Sequence, residues 1–161
     1  MRYLDLDSVD EELVARASDL LRSRFAPGRH HVAAALLTDS GVTVTGLHVG
    51  SRRINVCAEQ IALGTALTNG LGTPVACASV IMMTPAEDPS VTSPCGVCRE
   101  VLSYYNRDMA TLILEDGQTR KTWISELLPA PWLLPDELAG RARIADNEEA
   151  TYSAVVVPPR V

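Results

Sequence analysis

The sequence predicts an α/β domain in which helices pack on a central sheet. Segments with helical spacing take turns along the chain with segments of continuous or alternating apolar residues, the pattern of layered helix-on-sheet packing. Apolar residues make up 47% of the 161 residues, enough to bury a real core in one domain of this length. Short cysteine-bearing segments stand at the starts of two predicted helices, and they carry the chemistry.

Ser8 fits an N-cap with Glu11 three positions later, the pattern of a capping box. Leu13, Ala17, Leu20 and Leu21 then recur at helical spacing, which predicts an amphipathic helix over 9–24. Ala26-Pro27-Gly28 ends it. Residues 31–37 and 42–47 read as two strands around an Asp39-Ser40-Gly41 turn, hence a hairpin. A loop over 49–55 leads to the first cysteine segment.

From 57 to 69 the pattern is helical, with Ile61, Leu63, Ala66 and Leu67 apolar and Gly70 placed as a C′ residue. Residues 76–83 are apolar without interruption, as expected of a strand covered on both faces. A loop rich in Pro, Asp and Ser runs over 84–94. Residues 98–106 fit a short helix, 110–114 a further strand, Asp116-Gly117 a turn, and Thr122 a continuation of the sheet. Residues 125–128 start a helix that Pro129 and Pro131 cut short. The expected organisation is one domain over 1–130 and an extension of it over 131–161. In that extension, 135–143 reads as one or two helical turns and 152–157 as a strand, packed on the domain or on a neighbouring subunit.

The formal net charge of −6 supplies no basic field for a nucleic-acid polymer, although it leaves room for a small pocket that takes a nucleoside. No apolar stretch reaches the roughly 18 residues that would span a bilayer, so no membrane association is expected. The first seven residues lack a basic flank followed by an apolar run. The expected compartment is therefore the cytoplasm, where thiols stay reduced. A Cys-x-x-Cys there points to metal or redox chemistry before a structural disulfide. Cys77, inside an apolar run, reads as a buried core thiol.

The chemistry gathers in Cys57-Ala58-Glu59-Gln60 and Pro94-Cys95-Gly96-Val97-Cys98. Three thiolates can hold Zn²⁺ and leave its fourth position open to water, with Glu59 beside it as a proton shuttle. Cysteines in first helical turns also meet free N–H groups and partial positive charge, which offset the thiolates. Two alternatives stand beside this reading. A histidine (His30, His31 or His48) added to the three cysteines would close a structural zinc site, and Cys95 with Cys98 would make a redox pair. The redox pair leaves Cys57 and Glu59 unexplained.

At these residues the chain resembles the cytidine deaminase superfamily, whose zinc deaminases combine a Glu-bearing metal motif with Pro-Cys-x-x-Cys. Cys57-Ala58-Glu59 and Pro94-Cys95-Gly96-Val97-Cys98-Arg99-Glu100 match its free-nucleoside branch. Leu63-Gly64-Thr65-Ala66 and Glu126-Leu127-Leu128-Pro129 look most like the blasticidin-S deaminases within it. The likeness covers about residues 10–130. It implies a three-layer αβα fold around a mixed five-stranded sheet, a homotetramer, and a hydrolase releasing ammonia from a small-molecule substrate. That substrate would be a cytosine-type nucleoside or analogue, blasticidin-S-like or cytidine-like. It further implies Cys57, Cys95 and Cys98 as zinc ligands and Glu59 as the catalytic residue. The Ala58 N–H would contact the ring carbonyl, and the Ser93 carbonyl the departing amine.

Departures from the family are informative. Where relatives carry the sugar-binding Asn-x-Glu, this chain has Gly46-Leu47-His48. The family's Phe before the first core strand falls near His30, and Gln60 replaces a common Arg. Gly46 and His48 are read as substrate contacts. Arg52, beside Arg53, is read as the residue that meets a carboxylate or phosphate on the substrate. Arg99 and Glu100 are read as structural. Two further readings keep the fold: deamination of another amino-substituted heterocycle or nucleotide, or a non-catalytic binding module with structural zinc.

Overall fold

The computed structural model describes residues 1–133 and Pro135. The chain opens with a short strand, β1 (Tyr3–Leu4), and the helix α1 (Ser8–Arg24). The N-cap of α1 is Asp7, one residue ahead of the expected Ser8, and the box partner is Asp10 in place of Glu11. The Asp7 carboxylate accepts from the N–H groups of Val9 (2.9 Å) and Asp10 (3.2 Å), while Asp10 accepts from the Asp7 N–H (2.9 Å). Asp caps a helix as well as Ser does, and Lys121 decides between the two frames. Its ammonium lies 2.8 Å from Asp7 and 2.9 Å from Asp10.

The hairpin follows as β2 (Val32–Thr38) and β3 (Thr43–Leu47), then a small two-stranded ribbon of β4 (Val49–Gly50) and β5 (Asn55–Val56). Next come α2 (Ala58–Thr68), β6 (Pro74–Ile81), β7 (Ser90–Thr92), α3 (Gly96–Tyr105), β8 (Ala110–Glu115) and β9 (Gln118–Trp123). The helix expected from Ser125 is one 3₁₀ turn over Ile124–Leu127, because Pro129 leaves no room to continue.

The main sheet runs β1-β9-β8-β6-β2-β3, with β7 also paired to β6. The β6–β8 pair is parallel and the other pairs are antiparallel. The sheet is mixed as expected, but it has seven strands and not five. The additions, β1 and β7, span two and three residues, too short for a two-residue alternation to register.

Alternation along β2 sorts side chains between two cores. Ala33 and Ala35 pack with Leu13, Ala17 and Leu21 of α1. Leu36 packs on the opposite face with Ala62, Leu63 and Ala66 of α2 and Leu102 of α3. Helices thus cover both faces, giving the three αβα layers. Met1–Leu128 forms one unit by its internal contacts and Pro129–Val161 another. The turns expected over 135–143, Pro135 apart, and the strand expected at 152–157 lie outside the described residues.

Candidate active site

Cys57 is the N-cap of α2 and Cys95 the N-cap of α3, both with extended backbone and neither capping through its side chain. Cys98 lies in the first turn of α3 and is fully buried. Both helices lie on the same face of the sheet, so the three thiols converge before two N-termini. All three Sγ atoms lie within 4.8 Å of one another, and Cys57 and Cys95 are 3.6 Å apart.

Burial, and then the hydrogen bond to Cys95, pushes the Cys57 thiol up. Burial, followed by the charge of Glu59, does the same to Cys98. Burial alone would raise Cys95 as well. The N–H groups of Cys98 and Val97 and the neighbouring thiols outweigh it and hold Cys95 below the ordinary thiol value. Three such thiols ionise together when a cation neutralises them, and soft thiolates suit zinc. Among the described residues no histidine joins the cluster. The donor set therefore fits Zn²⁺ held by three ligands with a fourth position open.

Glu59, the second residue of α2, is 4% exposed. Its charge acts on Cys57, Cys98 and the buried Cys77, so the carboxylate stands beside the thiols. The second cysteine segment is braced around it. The Arg99 Nε donates to the Pro94 carbonyl (2.9 Å), a structural bond. The Ser93 hydroxyl donates to the Leu114 carbonyl (3.3 Å) and accepts from the Leu114 N–H (3.0 Å), which ties the loop to β8.

Gly46 lies on β3 directly under the start of α2. A Cβ there would stand 2.1 Å from the Ala58 carbonyl oxygen and 2.5 Å from the Ala62 nitrogen. Only glycine lets α2 come this close, so Gly46 sets the height of Cys57 and Glu59 above the sheet. Two residues on, His48 continues the ladder with its N–H on the Val32 carbonyl (2.9 Å). Its residue is 7% exposed, and its Nδ1 is buried with no hydrogen-bond partner.

The structure thus brings Gly46, Ala58, Glu59 and the three cysteines together and sets Ser93 at the entrance to the second segment. Arg52 is exposed at the tip of the β4–β5 ribbon, and among the described residues no hydrogen bond or ion pair joins it to the thiols. His31 is the residue whose part sequence reasoning missed. Its ring meets His48 edge-on, with centroids 4.4 Å apart. That contact depends on how β2 and β3 align, which no linear pattern shows.

A family profile described as "Cytidine and deoxycytidylate deaminase zinc-binding region" matches residues 7–113. Blasticidin-S deaminase of Bacillus cereus is 36% identical over 134 residues, covering 80% of this chain and 96% of that enzyme. Cytidine deaminase of Sporosarcina psychrophila is 27% identical over 131 residues, 78% of this chain and 93% of that enzyme. Among solved structures, the cytidine deaminase of Mycobacterium tuberculosis superposes with a TM-score of 0.63 at 30% identity. That match covers 81% of this chain and all of the other. The cytidine deaminase of Bacillus anthracis reaches a TM-score of 0.71 at 20% identity, over 86% and 98% of the two chains, a likeness of fold alone. The profile match takes in both cysteine segments and the strands that position them; the chain belongs to the cytidine and deoxycytidylate deaminase zinc-binding family and is a zinc-dependent deaminase.

Proposed function

We propose that the protein hydrolyses the exocyclic C–N bond of a cytosine-type nucleoside or nucleoside analogue, blasticidin-S-like or cytidine-like, releasing ammonia. The observation that carries this reading is a buried carboxylate, Glu59, beside three converging thiols that have no fourth protein ligand. Cys57, Cys95 and Cys98 hold the zinc. When bound, zinc supplies the Lewis acidity that makes a water nucleophilic at neutral pH.

Glu59 takes the proton of that water as its oxygen attacks the ring carbon bearing the amino group. It passes the proton to the ring nitrogen, then returns a proton to the departing amine, which leaves as ammonia. The carboxylate ends as it began, so one residue serves as base and acid in turn. Ala58 is the first residue of α2 and its N–H has no partner within the helix, so it is free to donate to the ring carbonyl. The Ser93 carbonyl orients the amino group. Gly46 and His48 face the remainder of the substrate, and Arg52 the edge of the pocket.

Replacement of the family's Asn-x-Glu by Gly46-Leu47-His48 favours a substrate other than plain cytidine, which keeps a nucleotide or another amino-substituted heterocycle as the second reading. Exposed Leu67, Val97, Tyr104 and Tyr105 on α2 and α3 support assembly as a homotetramer. A site of three reduced thiols supports a cytoplasmic location. Among the described residues no helix is long and apolar enough to cross a membrane.

The test is an ammonia-release screen of zinc-loaded protein over cytidine, deoxycytidine, their monophosphates, blasticidin S and other amino-substituted heterocycles. Release from at least one cytosine-type compound is expected. Release from none of them contradicts the reading.

A further inference from the structure

The stretch from residue 26 to 58 departs in charge from the rest of this acidic chain. It holds Arg29, Arg52, Arg53 and all three histidines, against one acid, Asp39. That acid sits at the far turn of the β2–β3 hairpin, where it accepts from the Thr73 N–H (2.9 Å). The cationic residues lie at the other end.

The fold draws these residues together. The Gly50 N–H donates to the Arg29 carbonyl (3.0 Å), which seats the root of the β4–β5 ribbon on the turn before β2. A Cβ on Gly50 would lie 3.1 Å from the Arg29 carbonyl oxygen and 3.1 Å from His48 Cε1, so the turn, the ribbon and His48 meet at this point. The His30 Nδ1 hydrogen-bonds the His48 carbonyl (2.8 Å). Val49 pairs with Val56, the residue before Cys57, so the group borders the thiol cluster.

Two independent features show that this end is built for something outside the chain. Arg29, Arg52 and Arg53 are exposed and form no ion pair among the described residues, whereas Arg2, Arg16, Arg22 and Arg120 each meet a carboxylate. His48 carries a buried ring nitrogen without a partner, which proteins rarely leave unmet.

We propose that the turn at Arg29, His48 and the Arg52–Arg53 ribbon recognise an anionic substituent of the substrate, a carboxylate or a phosphate borne on its sugar. The inference rests on the deaminase function proposed above and specifies the substrate of that same site. Guanidinium forks match both oxyanions in geometry and charge. The substituent, or a water it carries, supplies the partner that His48 Nδ1 lacks.

The experiment measures initial rates of ammonia release by the zinc-loaded protein on three compounds that share ring and sugar: cytidine, cytidine 5′-monophosphate and cytidine 5′-carboxylate. At least one anionic compound exceeds cytidine in kcat/KM by about tenfold or more, equal to about 1.4 kcal/mol. The better of the two identifies the oxyanion. In the double variant Arg52→Ala, Arg53→Ala the ratio of anionic substrate to cytidine falls toward one, mainly through KM, and Lys at both positions restores part of it. A merely structural role would lower all three rates in proportion and keep the ratio. Cytidine turned over as well as both anionic compounds, or a ratio unmoved by the variant, overturns this inference and leaves the deaminase function standing. Release from none of the three overturns both.

Discussion

Gly46 on β3 and Ala58 at the start of α2 are in backbone contact: a methyl group on Gly46 would meet the Ala58 carbonyl oxygen at 2.1 Å. The oxygen belongs to the residue between Cys57 and Glu59, so strand and reaction centre are coupled at this point. Gly46→Ala must lift the N-terminus of α2 or displace β3. The expected result is a loss of about 2 kcal/mol or more, with weaker zinc retention, measured by thermal unfolding and metal analysis. Normal zinc content and unchanged Tm in that variant would show that the contact yields freely.

Removing the metal tests the thiol cluster. One zinc per chain is expected, bound by Cys57, Cys95 and Cys98. Chelation should abolish ammonia release and lower Tm by several degrees, because a ligand bound only to the folded state stabilises it. Returning Zn²⁺ should restore both. Cys98→Ala should lose zinc while retaining secondary structure by circular dichroism.

The Lys121 clamp on α1 predicts a pH dependence of stability. Hydrogen bonds from Lys121 and then from the Asp10 N–H hold the Asp7 carboxyl below its ordinary 3.8. Its contribution is complete above that value and is lost as pH falls through the lowered one. Burial alone would lower Lys121, but Asp7 and Asp10 hold it above its ordinary 10.5. Its contribution is complete below that value and fades as pH rises beyond it. Lys121→Met leaves the buried Asp10 carboxylate without its cation, at about 1–3 kcal/mol. The gap in stability between wild type and variant should stay level from pH 5 to 9 and narrow below about pH 4.

His48→Phe separates stability from function. Phenylalanine keeps an aromatic ring against His31 and removes the unpaired nitrogen. Tm should hold or rise, by up to about 1 kcal/mol in stability, while kcat/KM on the true substrate falls. A large drop in Tm would mean that His48 serves the fold.

What the sequence made legible follows the range of each interaction. Cys57, Glu59, Cys95 and Cys98 stand out because metal ligands and a proton shuttle must come from short segments at helix starts, a local pattern. The hairpin, α2 and β6 carry apolar runs long enough to read. The α1 cap could be read in two frames, Asp7 with Asp10 or Ser8 with Glu11, and the choice belongs to Lys121, far along the chain on β9. Strands β1 and β7 owe their existence to neighbours, Tyr3 opposite Thr122 and Val91 opposite Val80, and not to their own few residues. The sequence marks Gly46 as a departure from the family. Its contact with Ala58 emerges only once α2 lies across β3.

The most direct measurement is the turnover and zinc content of Glu59→Gln on whichever compound the wild type deaminates best. The amide keeps the shape of the side chain and cannot shuttle a proton. Ammonia release should fall by about 10²–10⁴-fold with one zinc per chain retained and Tm little changed. Near-normal turnover with zinc in place would contradict the assignment of Glu59 as the residue that moves the proton.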